Sequence, residues 1–454
     1  MGENYPLSSD ITLDAQKRRR VCFRDVDPGI DANECIRIYL VSKEEEVGCP
    51  DSFLISPVSL SGFFNDNDDD KKIYGYQGLE ITVWVSILSF SAYAEISYQI
   101  KDDGGKGITD LNAALQKIFG DTLVDDRDSF IQTFTTETDF ISRIISNGEK
   151  VFPNLSNGHV DYSELASNIS SELKVVRLNF GIPSAAILYN RLAPLVALLV
   201  DGSNPIEVTD PRWDLYALIR SEKEDIGERL VGFAAIYRFY RYPEQIRWRL
   251  GQILVLPPFQ GMGYGRKILE VVNYVAVGED VYDLTVEEPL DYFQQVRSCY
   301  DVERLTKFAP IQDAVGRAVN EARCTKKNVN PPASVVDDVR KALKITRKHF
   351  SQCWEVLLYH RMRSPDDHTD DFKAMLSDRY KAALLGRESI MKQVVQVPNR
   401  FNQEMSFVLV KANYNVVPNL SHPAYHPRLD EQLASLVRGR INEITLILRK
   451  LQLD

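Results

Sequence analysis

Two stretches of this chain carry residue types that could do chemistry together. The first is Gln260-Gly261-Met262-Gly263-Tyr264-Gly265, a glycine-spaced turn between an apolar run and a helix-like segment. Glycines let a ligand approach bare backbone, and a helix's first turn offers unpaired N–H groups at its positive end, so the pattern predicts a phosphate site. A nucleotide P-loop needs Gly-Lys-Ser/Thr, whereas Gly265 is followed by Arg266-Lys267-Ile268. A dinucleotide fingerprint starting at Gly261 needs glycine where Arg266 stands, so that reading fails too. The second stretch is Glu287-Glu288, directly before Pro289. Two acids where a strand leaves a sheet are either a polar loop or a proton acceptor, and the pair alone does not choose.

Both stretches need elements to hold them. Ile253, Leu254, Val255 and Leu256 predict a strand that ends at Pro257-Pro258, because proline cannot donate to a sheet ladder. After the turn, Ile268, Val271, Val272 and Val275 recur at helical spacing. Residues 175–180, 214–219, 230–241, 245–256 and 281–286 predict strands, and residues 183–200 an apolar helix. The expected class is therefore α/β, with a mixed sheet core over residues 151–300. Residues 1–20 read as a polar tail and 21–150 as a first α/β domain. In that domain strands are expected at 36–41, 79–85 and 92–100, and helices at 108–119, 128–134 and 138–145. Residues 301–454 read as mainly helical. There Val336, Val339, Leu343, Phe350, Trp354 and Leu357 predict one helix, and residues 429–451 a terminal one. Residues 407–410 have strand character with no evident partner.

Composition narrows the function. The 454 residues suffice for two or three domains, and 44% hydrophobic content provides an ample core. A net charge of −10 argues against general nucleic-acid binding and suits a basic partner. The six cysteines form no C-x-x-C pair, and the six histidines show no ligand spacing, so no metal site is expected. Reduced thiols, no signal-peptide pattern and no membrane-length apolar run predict a soluble intracellular protein. Lys17-Arg18-Arg19-Arg20 is either a nuclear-import signal or a solvated charge run, and the expected location is nucleus and cytoplasm.

The turn has the form Gln-x-x-Gly-x-Gly, and in this it resembles the pyrophosphate loop of the GNAT acetyltransferase superfamily. The wider text ILVLPPFQGMGYGRKILE, with Thr285-Val286-Glu287-Glu288-Pro289 further on, resembles the type B histone acetyltransferases of that superfamily. The resemblance runs from about residue 73 to 385 and over the terminal helix, and is strongest at 245–297. It implies a GNAT core that uses acetyl-CoA and no metal. Gln260, Gly261, Met262, Gly263, Tyr264, Gly265 and Arg266 would cradle the pyrophosphate, although Arg266 could equally face solvent. Main-chain atoms of Ile253, Leu254 and Val255 would pair with the pantetheine arm. Lysine's amine, with a pKa near ~10.4, needs a base, and Glu287 stands at the family's general-base position. Glu288 replaces an aspartate there as a helper, and Asp201 stands where the family has a third acidic group facing substrate. Trp213 and Tyr237 match positions that line the histone-tail groove. Asp69 and Asp70 would touch the basic tail, while Lys71 departs from the acidic residue expected there.

Taken together, the resemblance implies acetylation of tail lysines on free, newly made histone four by direct attack in a ternary complex, with a WD-repeat histone chaperone as partner. Two rivals remain: a GNAT enzyme for another amine, and a non-catalytic acetyl-CoA-binding histone chaperone. Charge reversal at Asp69 and Asp70 separates the first from the main reading, and Glu287→Gln separates the second.

Overall fold

Alternating burial identifies the first sheet. Ile36–Val41 (β1), Phe53–Ile55 (β2), Glu80–Ser86 (β3) and Ala92–Ser97 (β4) form four strands in the order β2-β1-β3-β4. The central pair β1 and β3 is parallel and the outer pairs are antiparallel. Ile38, Leu40, Ile81 and Val83 are buried at period two, as one covered sheet face requires. The strand expected over 92–100 stops at Ser97, and Ile100–Lys101 pairs instead with Tyr76–Gln77. Leu111–Phe119 (α1) follows, its N-cap Asp110 accepting the Ala113 N–H at 3.0 Å.

The computed structural model describes residues 27–58, 60–64, 72–103, 105–151, 173–221, 227–325, 330–363, 369–389, 393–396, 407–410 and 426–453. Two compact units emerge, Met1–Ser86 with Ser91–Ile131, and Ile87–Phe90 with Gln132–Asp454. Asp69, Asp70, Lys71, the basic cluster 17–20 and the Pro/Asn/Ser/Gly-rich stretch 153–158 lie outside the described residues.

The second unit is built on a six-stranded sheet. Glu149–Val151 (β5), Leu173–Asn179 (β6), Trp213–Ser221 (β7), Glu228–Arg241 (β8), Gln245–Val255 (β9) and Leu284–Val286 (β10) lie in the order β10-β9-β8-β7-β6-β5. All neighbours are antiparallel except β9 and β10, which are parallel. Pro183–Leu199 (α2) connects β6 to β7, with proline in its first turn where the missing N–H costs nothing. In β7 and β8 the runs Leu215–Ile219 and Leu230–Ile236 are buried, which matches a sheet covered on both faces. From Tyr237 onward β8 is half-buried or exposed. In β9, Trp248, Leu250, Gln252 and Leu254 are buried while the residues between them are half-exposed. The covered sheet thus opens along one margin.

Tyr264–Gly278 (α3) follows β9, and a helical region follows β10. It comprises Asp291–Thr306 (α4), Ala309–Thr325 (α5), Ala333–Leu343 (α6), Arg347–Arg363 (α7), Thr369–Ser389 (α8) and His426–Lys450 (α9). Their apolar faces share one core, including Val302, Ile311, Val339, Phe350, Trp354, Phe372 and Ile444. Here the sequence expectation needs correcting, because the single helix expected across 336–357 is two. Lys344 adopts a left-handed conformation (φ 58°), and its carbonyl accepts the Leu284 N–H at 2.9 Å. Ile345 then forms a parallel bridge to Leu284, so the chain leaves the helix to extend the sheet beside β10. The expected strand at 281–286 shortens to β10 alone. The partner of Phe407–Val410 is Gln393–Gln396, in an antiparallel pair. Among the described residues no helix is long and apolar enough to cross a membrane.

Candidate active site

The site is organised by one extra residue in β9. Pairing with β8 runs Ala235↔Gln252 and then Ile236↔Leu250, so Gly251 is a bulge. Before the bulge, the Leu250 carbonyl accepts the Glu287 N–H at 3.0 Å on the β10 side. Beyond it, Leu256 N–H donates to Val231, on the β8 side. Strand alternation therefore turns the N–H and C=O groups of Ile253 and Val255 away from β8. The Val255 carbonyl does face out, accepting Gln260 Nε2 at 2.9 Å. β10 pairs only with Trp248–Leu250, so among the described residues the β9 edge beyond the bulge has no strand beside it. Leu254, by the same alternation, directs its main chain to β8 and buries its side chain.

The glycine turn continues from that edge. Pro257–Phe259 makes a short 3₁₀ turn, and Gln260, Gly261, Met262 and Gly263 are exposed. Gly261 (φ 76°) and Gly263 (φ 83°) sit in the left-handed region with nothing within 4 Å of an added Cβ. Glycine is needed there for its backbone freedom rather than for space. Gly263 caps α3, whose first helical bond is Lys267 N–H to the Gly263 carbonyl at 3.1 Å. The N–H groups of Tyr264, Gly265 and Arg266 consequently have no acceptor within the helix. The guanidinium of Arg266 is held by Glu270 (2.8 Å) and Glu303 (2.6 Å). Burial alone would lower its pKa, but the two carboxylates outweigh that and raise it. Lys267 is also paired with Glu270, at 3.2 Å. The positive character of this turn thus comes from backbone, and these residues suit a diphosphate.

On the other side of the bulge lies an aromatic wall. The Trp213 and Tyr237 rings meet edge to face with centroids 4.9 Å apart, and Tyr237 meets Phe239 at 4.4 Å. A Cβ at Gly251 would lie 2.8 Å from the Trp213 indole and 3.7 Å from Glu287 Oε2. Indole, bulge and carboxylate therefore share one place. Glu287 Oε1 lies 3.4 Å from Arg249 Nη1, whose guanidinium sits 4.3 Å from the Phe239 ring centroid. The Tyr237 hydroxyl donates to Asp210 Oδ2 at 3.1 Å. Arg212 also grips Asp210, through contacts of 2.7–3.1 Å, and these hydrogen bonds hold the carboxyl down at about 2. Burial and the bond to Asp210 raise the Tyr237 phenol, so it stays a donor.

The candidates named from sequence fall into place unevenly. Ile253, Val255 and Gln260 to Arg266 form one continuous edge and turn, whereas Leu254, expected on that edge, directs its main-chain groups to β8; Trp213, Tyr237 and Glu287 converge at the bulge. Glu288 is exposed with a left-handed φ of 33°, in the turn that takes the chain off the sheet before Pro289. Asp201 is exposed on the turn after α2 and makes no hydrogen bond or ion pair among the described residues. The loop beyond Asp201 is tied to the bulge by buried Gln252, whose Nε2 donates to the Asn204 carbonyl at 2.7 Å. Its Oε1 accepts the Tyr189 hydroxyl at 3.0 Å, and that hydroxyl accepts the Ile206 N–H at 3.0 Å. Sequence reading missed Gln252, Arg249, Phe239 and Asp210. A glycine inside a β-prone run was a usable sign of the bulge. Among the described residues no group of His, Cys, Asp or Glu is placed to hold a metal ion.

Comparisons with known proteins bear on this geometry. The family described as "Histone acetyl transferase HAT1 N-terminus" matches residues 28–201, and the acetyltransferase (GNAT) family matches residues 203–292. A histone acetyltransferase type B catalytic subunit of Arabidopsis thaliana is 47% identical, covering 99% of this chain and 98% of its own. One from Zea mays is 41% identical over 87% of this chain and 84% of its own, and one from Dictyostelium discoideum 26% over 81% and 76%. A solved aminoglycoside acetyltransferase from a soil metagenomic sample, in complex with sisomicin, overlays 28% of this chain and 84% of its own with a TM-score of 0.23 at 19% identity.

Proposed function

The chain belongs to the family of histone acetyltransferase type B catalytic subunits and is an acetyltransferase with a GNAT core, and on that premise we propose that it acetylates N-terminal-tail lysines of free, newly made histone four with Glu287 as general base. The observation that carries this reading is the meeting of Glu287, the Trp213 indole and the Gly251 bulge where the open β9 edge begins. The aromatic wall takes the aliphatic stem of the lysine, and Glu287 takes its proton. Acetyl-CoA, when bound, supplies an acyl thioester. The open edge of β9 and the N–H groups of Gly263 to Arg266 hold it still while the neutral amine forms the new C–N bond and the C–S bond breaks. Glu287 keeps the ammonium's first proton, and the second, lost from nitrogen as the amide forms, goes to the departing sulfur, which leaves as thiol. Attack is direct in a ternary complex: Cys299 and Cys353, on the helices that follow β10, are buried. Asp69, Asp70, Asp201 and Glu288 serve the basic tail or assist the base, in keeping with a net charge of −10. A WD-repeat histone chaperone completes the grip on the histone, and the protein works in nucleus and cytoplasm.

The test is mass-spectrometric acetylation of free histone four and of nucleosomes by wild type and Glu287→Gln. Labelling of free tail lysines, little on nucleosomes, and a fall of roughly a hundredfold or more in the variant are expected. Equal labelling of both substrates would sink the free-histone assignment. Full activity of the variant would sink the base.

A further inference from the structure

The two oxygens of Glu287 face different neighbours. Oε1 is turned toward Arg249, and Oε2 lies over the bulge beside the Trp213 indole. Arg249 is placed for this by the sheet, where it pairs with Thr285 in β10 and with Tyr237 in β8. Its guanidinium lies on Phe239, which supports Tyr237, which supports Trp213. The contacts therefore run from Glu287 through Arg249 and Phe239 to Tyr237 and Trp213, whose indole lies on the same side of Gly251 as the Glu287 carboxylate. The carboxylate is half-exposed, and among the described residues no other side chain forms a hydrogen bond or ion pair with it.

We propose that Arg249 is a positioning residue for Glu287: it occupies Oε1 and so presents Oε2 to the amine between Trp213 and the bulge. The inference rests on the reading of Glu287 as general base. A carboxyl group on a mobile side chain has several rotamers, and only one puts an oxygen over Gly251. An exposed ion pair adds little to stability, yet it suffices to favour one rotamer. Arginine suits this role because a planar guanidinium lies flat on a ring while its edge N–H groups address a carboxylate. Lysine in its place would keep the charge and lose the platform.

The test is steady-state kinetics of the full chain with acetyl-CoA and a histone four tail peptide, for Arg249→Met and Arg249→Lys, each in wild type and in Glu287→Gln. Assay at pH 9.5, where part of the lysine amine is already neutral, keeps the Gln background measurable. Arg249→Met is expected to lower kcat roughly three- to tenfold, with the acetyl-CoA KM within twofold and the melting temperature unchanged. Arg249→Lys should recover only part of the loss. In the Gln background Arg249→Met should change kcat less than twofold, because the group it positions is gone. An unchanged kcat in the wild-type background would overturn the proposal, as would equal losses in both backgrounds. Wild-type kcat in Glu287→Gln alone would instead remove the base reading on which the proposal stands.

Discussion

Gly232 offers a stringent test of how the proposed cofactor edge is held. It pairs with Val255, where the open edge of β9 runs into the glycine turn. A Cβ there would lie 2.6 Å from the Leu254 carbonyl oxygen, 2.9 Å from Val255 Cα and 3.3 Å from Ile268 Cδ1. The first two are backbone atoms that no rotamer change can move aside. Ordinary Cβ contact begins at 3.4 Å, so Gly232→Ala must push β9 away by about 0.8 Å. Overpacking of this kind costs about 1–3 kcal/mol, and in a domain of this size that lowers the melting temperature by roughly 2–10 °C. Val255 belongs to the edge proposed to hold acetyl-CoA, so on that reading the Kd for acetyl-CoA should weaken roughly tenfold, or about 1.4 kcal/mol. Gly263→Ala is the control: nothing lies within 4 Å, and its cost of about 1–2 kcal/mol comes from the positive φ alone. Differential scanning fluorimetry and calorimetric titration with acetyl-CoA report both effects. Gly232→Ala with a wild-type melting temperature and unchanged Kd would refute the close-approach argument.

Two further outcomes follow from the geometry. Trp213→Ala should raise the KM for the histone peptide roughly tenfold and leave that for acetyl-CoA unchanged, because one wall of the proposed amine site disappears. Stability should also depend on pH through buried His349, which lies 3.0 Å from Asp301. Burial, reinforced by Arg297, holds the His349 pKa below its usual value, so in the unfolded chain it takes up a proton at higher pH than in the fold. Below ~6.5 the unfolded chain therefore binds the extra proton, and the melting temperature should fall as pH drops from 8 to 5. Burial would raise the Asp301 carboxyl, but His349 and Arg304 hold it down at about 2, so its stabilisation is present above ~3.9 and is lost only as pH falls further. His349→Gln should flatten the curve between pH 6.5 and 5, and an unflattened curve would place the titrating group elsewhere.

Much of the site could be read from residue order because its parts are local. The run from Ile253 to Lys267 contains strand, stop, turn and helix start in one stretch, and each is set by its own residue types. What was hidden depends on contacts between distant segments. Arg266 could not be assigned because one of its carboxylate partners, Glu303, lies on another helix. The break between α6 and α7 carries no glycine or proline, and apolar spacing continues across it. It arises because Leu284 needs the Lys344 carbonyl and buried Lys344 reaches Asp280. His349 gave no sign in its spacing, since its partners Asp301 and Gln294 are on α4.

The bridge between Leu284 and Ile345 also decides where this enzyme can be cut. The GNAT family match ends at residue 292, and an excised core would naturally stop there. Such a fragment would keep Glu287 but strip its three-residue strand of the outer neighbour, and Leu284 would lose the Arg297 donor to its carbonyl, at 3.2 Å. The strand that leads into Glu287 would become a frayed margin. Recombination between relatives therefore has to carry residues past 345 with the core, making the helical region part of the smallest heritable catalytic module.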